Sequence, residues 1–191
     1  MVRLEPLVLD HVRELVPVAL DPDLWQFTVS QVATEDDLRG YIAAALRERD
    51  AGTALPFLIR ERATGQAVGS TRYGNIDRRN RRVEIGWTWV GRAWQRTGVN
   101  TEAKLLLLRY AFETLGCIRV EFKTDVLNER SRAALTRIGA REEGVLRHHM
   151  ITDTGRLRDS VYFSIIADEW PKVQAKLEAR LRAGIPRELA T

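Results

Sequence analysis

The stretch Val83–Phe112 reads VEIGWTWV, then GRAWQRTGVNTEAK, then LLLLRYAF. Its first part has apolar and β-branched residues on both sides of Glu84, the pattern of a buried strand. Its last part is apolar at helical spacing, with Val99, Ala103, Leu106, Leu107, Tyr110 and Ala111 on one side. Between them, Gln95, Arg96, Thr97, Gly98, Val99 and Asn100 make a turn that opens a helix. A strand, a small-residue turn and a helix start expose backbone N–H groups at the positive end of a helix dipole, which favours phosphate. The turn is not a Walker loop, because the Gly-Lys-Ser/Thr ending is absent, and it lacks the G-x-G-x-x-G spacing of dinucleotide folds.

Before this stretch, residues 55–61 and 67–73 read as an antiparallel pair around the turn Ala63-Thr64-Gly65. An arginine-rich tip (Arg78, Arg79, Arg81, Arg82) leads into the strand 82–90. VRLEPL opens the chain as a short strand, and Asp10 is expected to cap a helix that Pro17 and Asp21-Pro22 break. Residues 24–31 are aromatic and irregular, and suit a core filler and a pocket wall equally. Thr34 then caps a helix whose apolar face is Leu38, Ile42, Ala45 and Leu46.

After the central helix, Gly116 is a stop signal, and 117–124 reads as a strand with Ile118, Val120 and Phe122 alternating. Asn128 caps a helix ending at Gly139. Two more strands, 141–152 and 158–166, meet at Asp153-Thr154-Gly155, and from Asp168 a last helix carries Trp170, Val173, Leu177 and Leu181 on one face. This order predicts an α+β (α/β) fold: a mixed, mostly antiparallel sheet of about seven strands with helices on both faces.

A chain of 191 residues suits a single domain, 1–191, with a sizeable core. The net charge of +4 is spread among acids, apart from the Arg78–Arg82 cluster, so a solvated tip is a better reading of it than a nucleic-acid footprint. There is no apolar run of membrane-spanning length, and Arg3 and Glu5 interrupt any signal-like start. The lone Cys117 rules out an internal disulfide and suits a reducing cytoplasm. A homodimer is the default assembly expected of a cytosolic chain of this size.

The strand Glu-Ile-Gly-Trp, the Gln-x-x-Gly turn, the long helix and the Arg-Val-Glu strand together resemble the GNAT superfamily of acetyl-CoA-dependent N-acetyltransferases. Asn-Glu-Arg-Ser before a helix ending Ile138-Gly139-Ala140, then Glu143-Gly144-Val145-Leu146-Arg147 and Arg158-Asp159-Ser160-Val161-Tyr162, resemble its RimJ/RimL-like branch. The resemblance runs over residues 1–182. It implies acetyl-CoA as co-substrate, no metal, and a pyrophosphate loop over Gln95, Arg96, Thr97, Gly98, Val99, Asn100 and Thr101. Gln95 and Gly98 match the family loop, whereas Asn100 stands where Gly or Ala is expected. It further implies a splay between the strands 83–90 and 117–124, with pantetheine bonded near Trp89 and Val90. Asn128 would contact pantetheine or simply cap its helix; Arg96 would meet pyrophosphate, and Arg130 or Arg132 the 3′-phosphate.

Amine attack on a thioester needs a base, because a free amine is mostly protonated at neutral pH. Glu84, a carboxylate in an apolar strand, is the first candidate, and pairing with a neighbouring arginine is its plain alternative. His148 and His149 are rivals, of which strand alternation turns one inward. By resemblance, Ser131 takes the acid position beside the leaving sulfur, where many family members carry a tyrosine. Asp159 and Tyr162 either orient the acceptor or stitch the last strands together. The expected activity is acetyl transfer to a primary amine, on a protein N-terminus or a small molecule, by direct attack in a ternary complex. The alternative is a non-catalytic CoA-binding module of the same fold.

Overall fold

Seven strands form one sheet in the order β1-β2-β3-β4-β5-β7-β6. The computed structural model describes residues 1–184; the expected domain span, 1–191, reaches residues 185–191, outside the described residues. In chain order the elements are β1 (Val2–Pro6), α1 (His11–Ala19), α2 (Glu35–Asp50), β2 (Leu55–Glu61), β3 (Ala67–Asp77), β4 (Arg82–Val90), α3 (Val99–Arg109), β5 (Arg119–Asp125), α4 (Glu129–Ile138), β6 (Arg141–Ile151), β7 (Leu157–Ile166) and α5 (Trp170–Arg182). Every pairing is antiparallel except β4 with β5.

Alternation along the strands sends apolar residues to both faces of the sheet. On one face α1 and α2 bury Leu15, Trp25, Leu38 and Ile42 against Leu58 and Trp89. On the other, α3, α4 and α5 pack Leu105, Leu108, Leu135, Ile138 and Trp170 against Ile85, Phe122, Val161 and Phe163.

Local signals explain most element ends. Thr34 and Asp37 form a reciprocal capping box at α2, and Gly139 ends α4 in the left-handed conformation at φ +101°. Asp10 does not cap α1: its backbone is already helical and its side chain bonds no N–H of the helix. Nor does Pro17 break α1, which runs to Ala19; one exposed N–H is lost near its end, and buried Val12, Leu15 and Ala19 hold the helix. The apolar side of α3 is wider than expected. Leu105 and Leu108 are buried because the helix lies between sheet and α5, while Leu106 is half-buried. A π turn over Tyr110–Thr114 rotates the helix end, leaving Tyr110 exposed and Ala111 buried. The fifth strand starts at Arg119 rather than at residue 117; Ile118 is exposed, and Cys117 is buried beneath the preceding turn.

β4 carries a bulge. Ser70 and Arg72, two apart on β3, face Trp89 and Gly86, three apart on β4, and Trp87 adopts φ +49°. The extra residue turns Ile85 and Thr88 toward α3, and leaves Glu84 and Trp87 on the α2 side.

Candidate active site

The parallel pairing of β4 with β5 is short: Arg82 with Arg119, Val83 with Val120, Glu84 with Glu121. Beyond Glu84 the strands part, and Gly86 to Val90 keep ladder partners only on β3. Trp89 and Val90 therefore lie on a strand with one free edge. The Val90 carbonyl accepts from Gln95 Nε2 at 3.1 Å, which ties the turn back to the strand end. β3 and β4 approach so closely that a Cβ on Gly69 would sit 2.2 Å from the Trp89 carbonyl oxygen.

In the turn, Arg96 is exposed at φ +58°. Thr97 Oγ1 donates to the Trp94 carbonyl at 2.6 Å and accepts from Val99 N at 3.3 Å. Gly98 is the N-cap of α3 and supplies no side chain to its N–H groups. Among the described residues, the backbone N–H groups of Gly98, Asn100 and Thr101 have no partner. Val99 and Thr101 are buried, and the Asn100 amide oxygen is buried without a partner. The same amide turned over presents its Nδ2 donor to the turn. Arg92 binds Asp21 at 2.9 Å and also pairs with Asp23. Arg92 and, more weakly, Arg130 at the start of α4 hold the Asp21 carboxyl below its usual range. Arg132 instead reaches Glu142 at 3.3 Å. Free N–H groups at a helix N-terminus with Arg96 and Arg130 near the mouth are a donor set that fits the phosphates of acetyl-CoA.

Glu84 is 2% exposed. Its Oε2 accepts from Asn75 Nδ2 at 2.7 Å and lies 3.5 Å from Lys123 Nζ, so its partners are an amide and a lysine rather than the arginine considered above. Gly86 makes room for it: a Cβ there would come within 2.9 Å of Glu84 Oε1. Lys123 also lies over the rings of Trp87 and Tyr162. The Tyr162 ring meets His149 edge-on at 5.6 Å. Burial, then the Glu84 charge, raises the Tyr162 phenol. Burial, then the charges of Lys123 and Arg158, pushes the His149 imidazole below its usual value, and its Nδ1 has no partner among the described residues. His148 is exposed. One of the two histidines does turn inward, but through a bulge, since Leu146 and Met150 on β6 face Ser160 and Arg158 on β7. Asp159 Oδ1 accepts from His148 N at 2.7 Å and so holds that bulge.

At the start of α4, Asn128 caps the helix, its Oδ1 accepting from Ser131 N at 3.0 Å. Ser131, half-buried, lies in the first turn of α4, a short loop beyond the end of β5. Asp125 at that end is fully buried and paired with Arg156.

A cleft of about 370 Å³ opens on the α2 side, lined by Ser30, Gln31, Asp36, Asp37, Tyr41, Glu48, Arg72, Trp87 and Asp153 among others. The irregular 24–31 segment serves both roles offered for it. Trp25 fills the core against Trp89, while Gln31 N bonds Asp153 at 3.1 Å and closes one wall. Arg72 is buried on the Trp87 ring at 4.7 Å and bonded to Glu48 at 2.8 Å. Four carboxylates against one arginine leave the lining acidic. Trp87 connects this cleft to Lys123 and Glu84.

The residues missed from the sequence are Asn75, Lys123, Arg72, Trp87 and Lys104. Lys123 carried a signal, because it alternates with Glu121 and Asp125 on β5 opposite Val120 and Phe122. Asn75 carried none, since its meeting with Glu84 depends on the register of β3 on β4.

A family model described as an acetyltransferase (GNAT) domain matches residues 2–141. The "Putative ribosomal N-acetyltransferase YdaF" of Bacillus subtilis (strain 168) is 39% identical over 106 residues, 56% of this chain and 57% of that protein. The chain thus spans less than two thirds of the curated relatives it matches. A crystal structure of a GCN5-related N-acetyltransferase from Brucella melitensis is 31% identical with a TM-score of 0.86, covering 100% of this chain and 85% of that one. Mycobacterium smegmatis RimJ in complex with CoA-disulfide is 26% identical with a TM-score of 0.80, covering 95% of this chain and 90% of that one. The seven-stranded sheet, parted between its fourth and fifth strands, and a family match over most of the chain lead to one assignment: this chain belongs to the GNAT acetyltransferase family, on its RimJ/RimL-like branch.

Proposed function

We propose that the protein transfers an acetyl group from acetyl-CoA to a primary amine by direct attack in a ternary complex. The observation that carries this reading is Glu84, a buried carboxylate held by Asn75 and Lys123 where β4 leaves β5. The acidic cleft favours an ammonium acceptor, and Trp87 separates it from the base by one side chain. Glu84 takes the amine proton, directly or through water, and the freed nitrogen attacks the thioester carbonyl. A backbone N–H on the free edge of β4 stabilises the oxyanion, a role worth roughly 3–4 kcal/mol per donor in other enzymes. Ser131 hydrogen-bonds the leaving sulfur, and residues 96–101 with Arg130 hold the phosphates. The name of the Bacillus subtilis relative supports a ribosomal protein N-terminus as acceptor, and the cleft suits a small cationic amine as well.

The test is a calorimetric titration with acetyl-CoA, followed by thiol release with a panel of peptide N-termini and small amines. Glu84→Gln should lower kcat by about 10²-fold or more and leave the acetyl-CoA Kd nearly unchanged. Asn100 where the family loop has Gly or Ala, and Ser131 where many members carry a tyrosine, support a second reading, a CoA-binding module without turnover. Under it acetyl-CoA binds, no amine releases thiol, and Glu84→Gln changes nothing.

A further inference from the structure

Lys104 is a buried lysine that the chemistry above leaves without a task. It sits among Ala103, Leu105, Leu107 and Leu108 on α3 and is 5% exposed. Its Nζ donates to Thr88 Oγ1 at 2.7 Å, and that hydroxyl lies 2.7 Å from Thr71 Oγ1. Its other neighbour is the Phe122 ring, 5.7 Å away. Among the described residues no carboxylate comes within ion-pair distance of Nζ. Thr88 is on β4 past the last residue paired to β5, and Phe122 is on β5 past the last residue paired to β4. The ammonium therefore spans the opening of the splay from the α3 side, with two of its three N–H donors unused. Leucine or methionine would fill this place without desolvating a charge, so the lysine is an expense to stability.

We propose that Lys104 is the acid that protonates the departing CoA thiolate. The proposal rests on the acetyl-transfer reading. The acceptor nitrogen bonds the carbonyl carbon, the carbon–sulfur bond breaks, and the sulfur keeps the electron pair and takes a proton from Nζ. The surplus amine proton leaves through Glu84 to water, and neutral Lys104 regains a proton from water once CoA has gone. Burial lowers this amine to about 7, opposed only by the Glu84 charge on β4; Thr88, Thr71 and Phe122, which also face it, are uncharged. An acid near 7 gives its proton downhill to a thiolate whose thiol titrates near 8.5, as cysteine does. A serine hydroxyl is far too weak an acid for that, so Ser131 is left as a hydrogen-bond donor to the sulfur.

The experiment compares the whole wild-type chain with Lys104→Met. Below pH 7, kcat/KM should fall at least about tenfold while the acetyl-CoA Kd holds. The wild-type to variant ratio of kcat/KM cancels the acceptor's own titration. That ratio should decline as pH rises through about 7, where Lys104 loses its proton. A ratio near one, or a loss that does not change with pH, overturns the proposal while acetyl transfer stands. A wild-type chain that releases no thiol to any amine overturns both. If Lys104→Met does not fold, Lys104→Gln, which still donates to Thr88, takes the same readings.

Discussion

At the scale of residues, the proposed mechanism turns on what surrounds one carboxylate. Glu84 is accommodated inside a sheet because Asn75 donates to it and Lys123 lies beside it. Gly86 leaves it space, and Gly74 does the same for the Trp87 ring, which a Cβ there would meet at 2.3 Å. Gly86→Ala should therefore act on the proposed base without removing it. The new methyl meets only the end of a flexible side chain, 2.9 Å away, so folding should survive with a stability loss below about 1 kcal/mol. Displacing the carboxylate by about an ångström should cost ten- to a hundredfold in kcat. Kinetics beside a denaturant melt decide it: unchanged turnover in a folded Gly86→Ala would mean that the position of Glu84 is unimportant. Glu84 itself was legible, as a lone carboxylate in an apolar strand. Its setting was not, because Asn75 and Lys123 come from two other strands, and strand pairing has no local pattern. The bulge that divides Trp87 from Thr88 was equally hidden, since period-two alternation assumes an unbroken ladder.

At the scale of elements, local chemistry separates two helix starts that look alike in sequence. Thr34 exchanges hydrogen bonds with Asp37, whereas Asp10 has helical backbone and no capping bond, and the N–H of Val8 meets His11 Nδ1 at 3.3 Å instead. Thr34→Ala should cost about 1 kcal/mol, and Asp10→Ala less than about 0.5 kcal/mol. Equal shifts in urea midpoint would contradict this assignment of caps. The difference was half legible: Thr34 is followed by three acids at the right spacing, and nothing of the kind follows Asp10. The order and type of the elements could be read from periodicity because each core-facing stripe repeats along its own segment. The width of the buried face on α3 could not, since it depends on α5 arriving from the far end of the chain. Lys104 was overlooked because a lysine reads as solvent-facing, whereas its side chain turns to the sheet, onto Thr88 and Phe122.

At the scale of the whole molecule, the buried groups predict how stability varies with pH. Hydrogen bonds from Arg60 and Arg119 hold the Glu14 and Glu143 carboxyls below their usual range, so their contribution is lost as pH falls below about 4.5. His149 is depressed from 6.5, so the unfolded chain takes up its proton first and stability also falls as pH drops below that value. Lys104 extends the trend upward. It titrates at about 7 when folded and at 10.5 when unfolded, so between those values the unfolded chain holds the extra proton and stability rises with pH. At roughly 1.4 kcal/mol per unit, the gain from pH 7 to 9 is about 2–3 kcal/mol. Burial raises Cys117 from 9.0 and Tyr73 from 10.0, so beyond those values the unfolded chain ionises first and stability declines. From pH 9 the Cys117 loss offsets the continuing Lys104 gain and above 10 Tyr73 tips the balance, so the maximum should lie between about pH 9 and 10 rather than near neutrality. Lys104→Met should be a few kcal/mol more stable than wild type at pH 7 and should lose the rise between pH 7 and 9. Urea midpoints across pH 5 to 10 for both chains measure this. A wild-type midpoint that is flat from 7 to 9 would mean that Lys104 keeps its proton in the fold, and would leave its place at the splay a matter of packing alone.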